Sequence, residues 1–239
     1  MKIEIIKCLE DNYSYLLIDE ESNSACVIDP SESKPIIDYT EKNKINLTFI
    51  LNTHHHFDHI GGNKDLKKKY NSKVIGFKKE KNRIPEIDIA LDDKEIWKNN
   101  KFEAKIYHIP GHTSGHVCYH FFNQNILFTG DTLFSLGCGR IFEGTYEEMF
   151  SSLQLIKSFP EETKIYCGHE YTLKNSEFCI KHDENNPTLK EKIKLVKTNL
   201  EKGLPTIPTT IKEELECNIF LRSKDVQSFS KLRDLKDNF

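Results

Sequence analysis

The chain has 239 residues, enough for one large domain or a main domain with a small partner, and a chain of this length can bury roughly 70–75 % of its unfolded surface without staples. Charged residues make up 30 % and apolar residues 37 %, a globular balance, and the formal net charge of −3 excludes a general pull toward nucleic acid or anionic membranes. No apolar run nears the roughly 18 residues that span a bilayer, the charged start Met1-Lys2-Ile3-Glu4 does not read as an export signal, and seven cysteines without CxxC spacing favour free thiols, so a cytoplasmic protein is expected.

In chain order, residues 15–18 and 25–30 read as paired strands around a turn at 19–24. A helical pattern at 34–43 follows Pro30, and the buried-strand pattern of 47–53 runs straight into a histidine cluster. A helix over 63–70 comes next, then strand-like runs at 105–109 and 125–129 that end in Pro110-Gly111-His112-Thr113 and Gly130-Asp131-Thr132. A helix over 145–159 stops at Pro160, and the run 164–167 ends in Gly168-His169-Glu170-Tyr171. Short strands alternating with helices, with polar residues gathered at strand C-terminal ends, predict a layered α/β domain whose site lies along one sheet edge.

From about Tyr171 the strand-like runs give way to helical periodicity. Pro187 opens a helix with Leu189, Ile193, Val196 and Leu200 on one stripe, and Gly203 is placed to end it. Residues 211–221 are expected to be helical, and Ser223 or Asp225 to cap a last helix bearing Val226, Phe229 and Leu232. The division expected is a catalytic domain over 1–170 and a helical domain over 171–239.

The chemistry lies in Thr53-His54-His55-His56-Phe57-Asp58-His59, where four of the ten histidines fall within six residues beside an aspartate. In an extended segment His54 and His56 face one point and His55 turns away; if the chain then curls, Asp58 and His59 face a second point. Imidazole and carboxylate together suit zinc, iron or manganese. His112, Asp131 and His169 supply the further donors, each directly after an apolar run and next to a glycine that permits a tight turn. His54, His56 and His112 would then hold one ion, Asp58, His59 and His169 a second, with Asp131 bridging and with Asp58 and Asp131 as the catalytic carboxylates. Water activated between two divalent ions needs no protein nucleophile, and no G-x-S-x-G, Walker A or G-x-G-x-x-G pattern occurs.

The run His54-x-His56-x-Asp58-His59 resembles the signature of the metallo-β-lactamase superfamily. Gly111-His112-Thr113, Thr129-Gly130-Asp131-Thr132, Gly137-Cys138-Gly139-Arg140, Phe142-Glu143-Gly144-Thr145 and Cys167-Gly168-His169-Glu170-Tyr171 are similar to segments of its glyoxalase II (hydroxyacylglutathione hydrolase) family along essentially the whole chain. The resemblance implies a four-layer αββα sandwich with a small helical C-terminal domain, and a binuclear site carrying zinc first, with iron or manganese also fitting. It implies hydrolysis of S-D-lactoylglutathione to glutathione and D-lactate by a metal-bridging hydroxide, the second step of methylglyoxal detoxification. The substrate-binding residues it implies are Arg140 with Ile141 and Phe142, Tyr171, and Arg233 with Lys236. The partner expected is this small thioester, with no nucleic acid, no membrane and a monomeric chain. Two departures stand out: Asn218-Ile219-Phe220-Leu221-Arg222 lacks a proline usual in the family, and Phe142 replaces a tyrosine of some relatives.

His55 is expected to face away from the ions, and His116 to support the loop rather than ligate. Asp29 either orients a ligand histidine or caps a turn; the sequence leaves both readings open. Cys138 has no histidine base beside it in sequence and is read as packing. Other enzymes with this metal signature fit less well. A periplasmic β-lactamase would want an export signal, a tRNA nuclease a basic extension, a persulfide dioxygenase no second-metal set, and a flavodiiron oxidoreductase an appended flavin domain.

Overall fold

The computed structural model describes residues 1–99 and 102–239 and divides them into two compact units, Met1–His108 with Gly115–Asn123, and Ile109–Ser114 with Gln124–Phe239.

The first unit opens with an antiparallel run of β1 (Lys2–Cys8), β2 (Asn12–Asp19) and β3 (Ser24–Ile28). Helix α1 (Ser33–Lys42) leads to β4 (Asn46–Leu51), and the one-turn α2 (Phe57–Ile60) with α3 (Asn63–Tyr70) leads to β5 (Lys73–Phe77) and then β6 (Ile87–Leu91). Strands β3 to β6 pair in parallel, extending the sheet to the order β1-β2-β3-β4-β5-β6. Parallel strands covered on both faces need continuous apolar runs. Residues 25–28 and 49–51 supply them, with Leu16, Ile18, Val27, Ile36, Ile50, Leu66 and Val74 in one buried cluster with α1 and α3. Strands β7 (Ile96–Asn99), β8 (Phe102–His108) and β9 (Val117–Phe121) form an antiparallel series in the same unit. The Trp97 ring meets Phe49 edge-on at 5.0 Å. Because β3 and β4 run the same way, Asp29 and the cluster after Leu51 emerge at the same sheet edge.

The second unit contains β10 (Ile126–Gly130), the short hairpin β11 (Leu133–Phe134) and β12 (Gly137–Cys138), α4 (Tyr146–Lys157), β13 (Lys164–Cys167), α5 (Thr172–His182), α6 (Pro187–Glu201), β14 (Thr209–Thr210), α7 (Ile211–Cys217) and α8 (Val226–Asp237). β10 and β13 are parallel, so the loops carrying Asp131 and His169 also share one edge. Local chemistry sets the helix ends. Thr145 and Glu148 form a capping box on α4, Asn186 caps α6 with Pro187 at its start, and Gly203 (φ +70°) closes α6 as Gly203 N–H donates to the Leu200 carbonyl. Asp225, rather than Ser223, caps α8. No helix among the described residues is long and apolar enough to cross a membrane.

One helix and several strands differ from expectation. The helix expected over 211–221 ends at Cys217, because the Asn218 side-chain oxygen accepts the Phe220 and Leu221 N–H groups, and this local turn competes with helix continuation. The Asn218 amide then donates to the carbonyls of Phe134 and Gly137. Strands β1, β6 and β7 lie in stretches where charged residues break the apolar pattern, as in Lys2-Ile3-Glu4-Ile5.

Helices grip the β11–β12 hairpin by its backbone. Asn175 donates to the Ser135 carbonyl, and the wholly buried Glu214 accepts the Leu136 N–H at 2.8 Å, with Leu136 at φ +60°. Glu214 also accepts from Thr209 and pairs with Lys192 at 3.0 Å. Removing one member of a buried ion pair leaves the other charge uncompensated. Glu214→Ala should therefore destabilise the fold by about 3–5 kcal/mol, lowering Tm by roughly 6–20 °C at about 2–4 °C per kcal/mol. The exposed Glu216→Ala should stay within about 0.5 kcal/mol; thermal denaturation of both variants checks this, and equal effects would contradict it.

Candidate metal centre

In the first unit the chain leaves β4 and turns at residues 52–56 into α2. His54 and His59 are buried, His56 and Asp58 partly so. The His54 ring lies 4.6 Å from His56 and 4.2 Å from His59, centroid to centroid, and His59 Nε2 is 3.6 Å from Asp58 Oδ2. The curl expected after the strand is thus present as α2.

Hydrogen bonds fix which ring nitrogen faces the cluster. The Thr53 hydroxyl donates its one proton to Asp29 Oδ2 at 2.6 Å, so towards His54 Nδ1, 3.0 Å away, it can only accept. His59 Nδ1 is 3.1 Å from Asp29 Oδ2, again an acceptor. Both rings therefore carry hydrogen on Nδ1 and present the Nε2 lone pair. Asp29 resolves the choice left by the sequence, since it orients His59 and receives the Thr53 N–H at 2.7 Å. It does so at φ +46°, uncommon for a residue with a side chain, held by the Ser14 hydroxyl on its carbonyl and by its own N–H on the Leu51 carbonyl. Asn12, from β2, donates to Asp58 Oδ2 at 3.0 Å and to the Asp58 carbonyl at 3.1 Å, setting the angle of that carboxylate. His116 stacks on His54 at 4.6 Å.

In the second unit Asp131 Oδ2 lies 3.3 Å from His169 Nε2 and 3.5 Å from His112 Nε2. Ligands bonded at 2.0–2.2 Å to a tetrahedral ion stand roughly 3.3–3.6 Å apart. These spacings, like that of Asp58 and His59, suit a divalent cation of zinc's size, and the N/O donor set suits zinc, iron or manganese. His112 Nδ1 donates to the Arg140 carbonyl at 2.8 Å, which again turns Nε2 toward the carboxylate. Two glycines permit this packing. Gly111 has φ +144°, and a Cβ on Gly139 would sit 1.9 Å from the Asp131 carbonyl and 3.1 Å from His112 Nδ1. The His169 ring stacks on Tyr171 at 4.7 Å, and Phe134 meets Tyr171 edge-on at 5.3 Å.

The remaining predicted residues lie in the same unit. Arg140 is exposed with its Nε 3.4 Å from Asp237 Oδ1, Ile141 is partly buried, and the exposed Phe142 meets the edge of His112 at 5.2 Å. Arg233 is buried, donating to the Cys138 carbonyl at 2.7 Å and to Asp237 Oδ1 at 2.8 Å over the Phe220 ring. Asp237 is thus shared by two guanidinium groups. Lys236 lies between the Phe178 and Phe239 rings and donates to the Lys174 carbonyl; burial and the Arg233 charge hold its ammonium below the usual lysine range. Burial pushes the Cys138 thiol up against the pull of Arg233, which fits a packing role. Asn12 and Glu80, which lies beside His55, were not found by sequence reading. Asn12 meets Asp58 across 46 positions, and nothing local marks that partnership.

A sequence profile of the metallo-β-lactamase superfamily matches residues 10–169, and one for the hydroxyacylglutathione hydrolase C-terminus matches residues 170–239. A hydroxyacylglutathione hydrolase of Pelagibacter ubique is 66 % identical over 239 residues, covering 100 % of both chains. One of Methylococcus capsulatus is 39 % identical, covering 100 % of this chain and 99 % of its own. Among solved structures, ETHE1 from Myxococcus xanthus superposes with a TM-score of 0.75 at 23 % identity, covering 98 % of this chain and 90 % of its own. The BLEG-1 B3 metallo-β-lactamase gives 0.73 at 22 % identity, covering 93 % of this chain and 100 % of its own; at such identities the likeness speaks for the fold alone. With two units of mixed sheet and helix and matches over its full length, the chain has the metallo-β-lactamase fold with a helical C-terminal region and belongs to the hydroxyacylglutathione hydrolase family.

Proposed function

We propose that the chain is a thioester hydrolase acting on S-(2-hydroxyacyl)glutathione, S-D-lactoylglutathione above all, and releasing glutathione and D-lactate. The observation that carries this reading is the ring of Nε2 and carboxylate donors, set by hydrogen bonds before any ion arrives, in a chain 66 % identical over its full length to a protein named for that activity.

In this reading the chain binds divalent ions, zinc first, with iron or manganese also accepted by the donors. His54, His56 and His112 would hold one ion and Asp58, His59 and His169 a second, with Asp131 as a further carboxylate donor. Bound ions of this kind lower the pKa of water from 15.7 toward about 7 and polarise a carbonyl. Asp58, angled by Asn12, takes the proton of the attacking water, and the water oxygen bonds to the thioester carbon. The carbon–sulfur bond then breaks and its electron pair leaves on sulfur. A thiol of pKa about 8.5 leaves as thiolate without a general acid, consistent with a site built of bases and cations.

Residues 1–170 form the catalytic domain in this proposal and residues 171–239 the substrate-binding domain; the profile boundary between 169 and 170 supports that division. Glutathione carries two carboxylates, so its pocket needs fixed cations. Arg140 and Lys236 offer their charges to it, Arg233 adds positive potential from within, Tyr171 offers its hydroxyl, and Ile141 and Phe142 line the acyl side. Seven free, buried cysteines support a reducing, cytoplasmic setting. The net charge of −3 supports a partnership with a small molecule rather than nucleic acid or membrane, and the chain is proposed to be a monomer.

Two outcomes are expected. Purified protein should carry two metal ions per chain and cleave S-D-lactoylglutathione far faster than a cephalosporin or a precursor tRNA. His54→Ala and Asp131→Ala should each lose metal and lower kcat by about 100-fold or more, at the upper end of metal-site effects; equal activity on either comparison substrate would overturn the substrate reading. Arg140→Ala and Lys236→Ala should each raise KM about fivefold with kcat nearly unchanged, as expected for partly exposed charge contacts worth about 1 kcal/mol. Steady-state kinetics showing an unchanged KM in both variants would remove these residues from the glutathione pocket.

A further inference from the structure

His55 sits between two proposed ligands, yet points away from them, and its partner is Glu80. This carboxylate ends the 3-10 turn Lys78–Glu80 directly after β5, and its side chain is 1 % exposed. Its Oε1 pairs with Arg83, and its Oε2 lies 3.0 Å from His55 Nδ1. Gly115 covers it: a Cβ there would fall 1.6 Å from Glu80 Oε1, so the carboxylate fills a space only glycine leaves. The next residue, His116, stacks on His54, so the carboxylate and the stacked ring bear on neighbouring histidines of the same segment.

A buried ion pair is a poor way to gain stability, since an apolar residue of similar volume often does as well or better. Glu80 therefore calls for another explanation, and its aim at His55 supplies one. The segment from His54 to His56 is not helical: the chain bends at residues 53–54, and His56 has φ −59° and ψ 141°. In a segment outside helix and strand, a side chain fixed at the middle position restrains the backbone that aims the side chains on either side. The ring centroids of His54 and His56 lie 4.6 Å apart, closer than His55 lies to His56 (5.1 Å) or to His54 (6.5 Å).

We infer that Glu80 is a positioning residue for the metal centre: held by Arg83 and roofed by Gly115, it stands in contact with His55 and so restrains the backbone from which His54 and His56 would reach an ion. This rests on the metal-centre reading above. That reading is tested separately by zinc content in the unaltered protein and its loss in His54→Ala.

The experiment measures zinc retention against a competing chelator, together with the visible spectrum of the cobalt(II)-substituted protein, in Glu80→Gln, His55→Gln and the double variant. Each single variant should hold zinc roughly 10–100-fold more weakly, with an altered cobalt spectrum, lower kcat and unchanged KM. Because Glu80 acts through His55, the double variant should be no weaker than the weaker single by more than about twofold. Unchanged retention in Glu80→Gln, or fully additive losses, would overturn the inference. If Glu80→Gln does not fold, His55→Gln decides alone, and retention equal to that of the unaltered protein would overturn the inference.

Discussion

A histidine can bind a cation through either ring nitrogen, and the candidate centre removes that freedom at three of its rings. The acceptors are a threonine hydroxyl whose proton is already committed, the Asp29 carboxylate and the Arg140 carbonyl, facing the Nδ1 atoms of His54, His59 and His112. None of the three has a proton to give, so each imidazole must place its hydrogen there and leave Nε2 bare. An ion arriving at such a site meets lone pairs already aimed, and the cost of ordering them is met during folding.

The fold supplies these acceptors by simple means. Parallel pairing of β3 with β4 brings Asp29 beside the histidine loop, and parallel pairing of β10 with β13 brings Asp131 to His169. The Arg140 carbonyl follows a hairpin whose backbone is gripped by Asn175, Glu214, Asn218 and Arg233. The C-terminal helices thus act on His112 through main chain. Gly139 completes that route, since any side chain there would collide with the Asp131 carbonyl.

Much of this was legible in the sequence because it is local. His54-x-His56-x-Asp58-His59 announces its chemistry within six residues, and His112, Asp131 and His169 share one pattern, an apolar run that ends at a glycine. Helix ends at Thr145, Asn186 and Gly203 follow local rules. What escaped was relational. Asn12 touches Asp58, Glu80 touches His55, and Asn218 stops α7 to hold a hairpin some eighty positions earlier. No periodicity encodes such pairs. Strands such as β5 and β6 were missed because a five-residue run with charged residues near its ends gives too weak a signal.

Metal binding at this centre therefore depends on a preset tautomer at each tied ring. The most direct measurement is a crystal structure of the zinc-loaded protein, with ion positions fixed by anomalous scattering. His54, His59 and His112 should all bind through Nε2 at about 2.0–2.1 Å, with their Nδ1 contacts to Thr53, Asp29 and Arg140 intact. Ligation through Nδ1 at any of these rings, or ions bound away from this cluster, would contradict it.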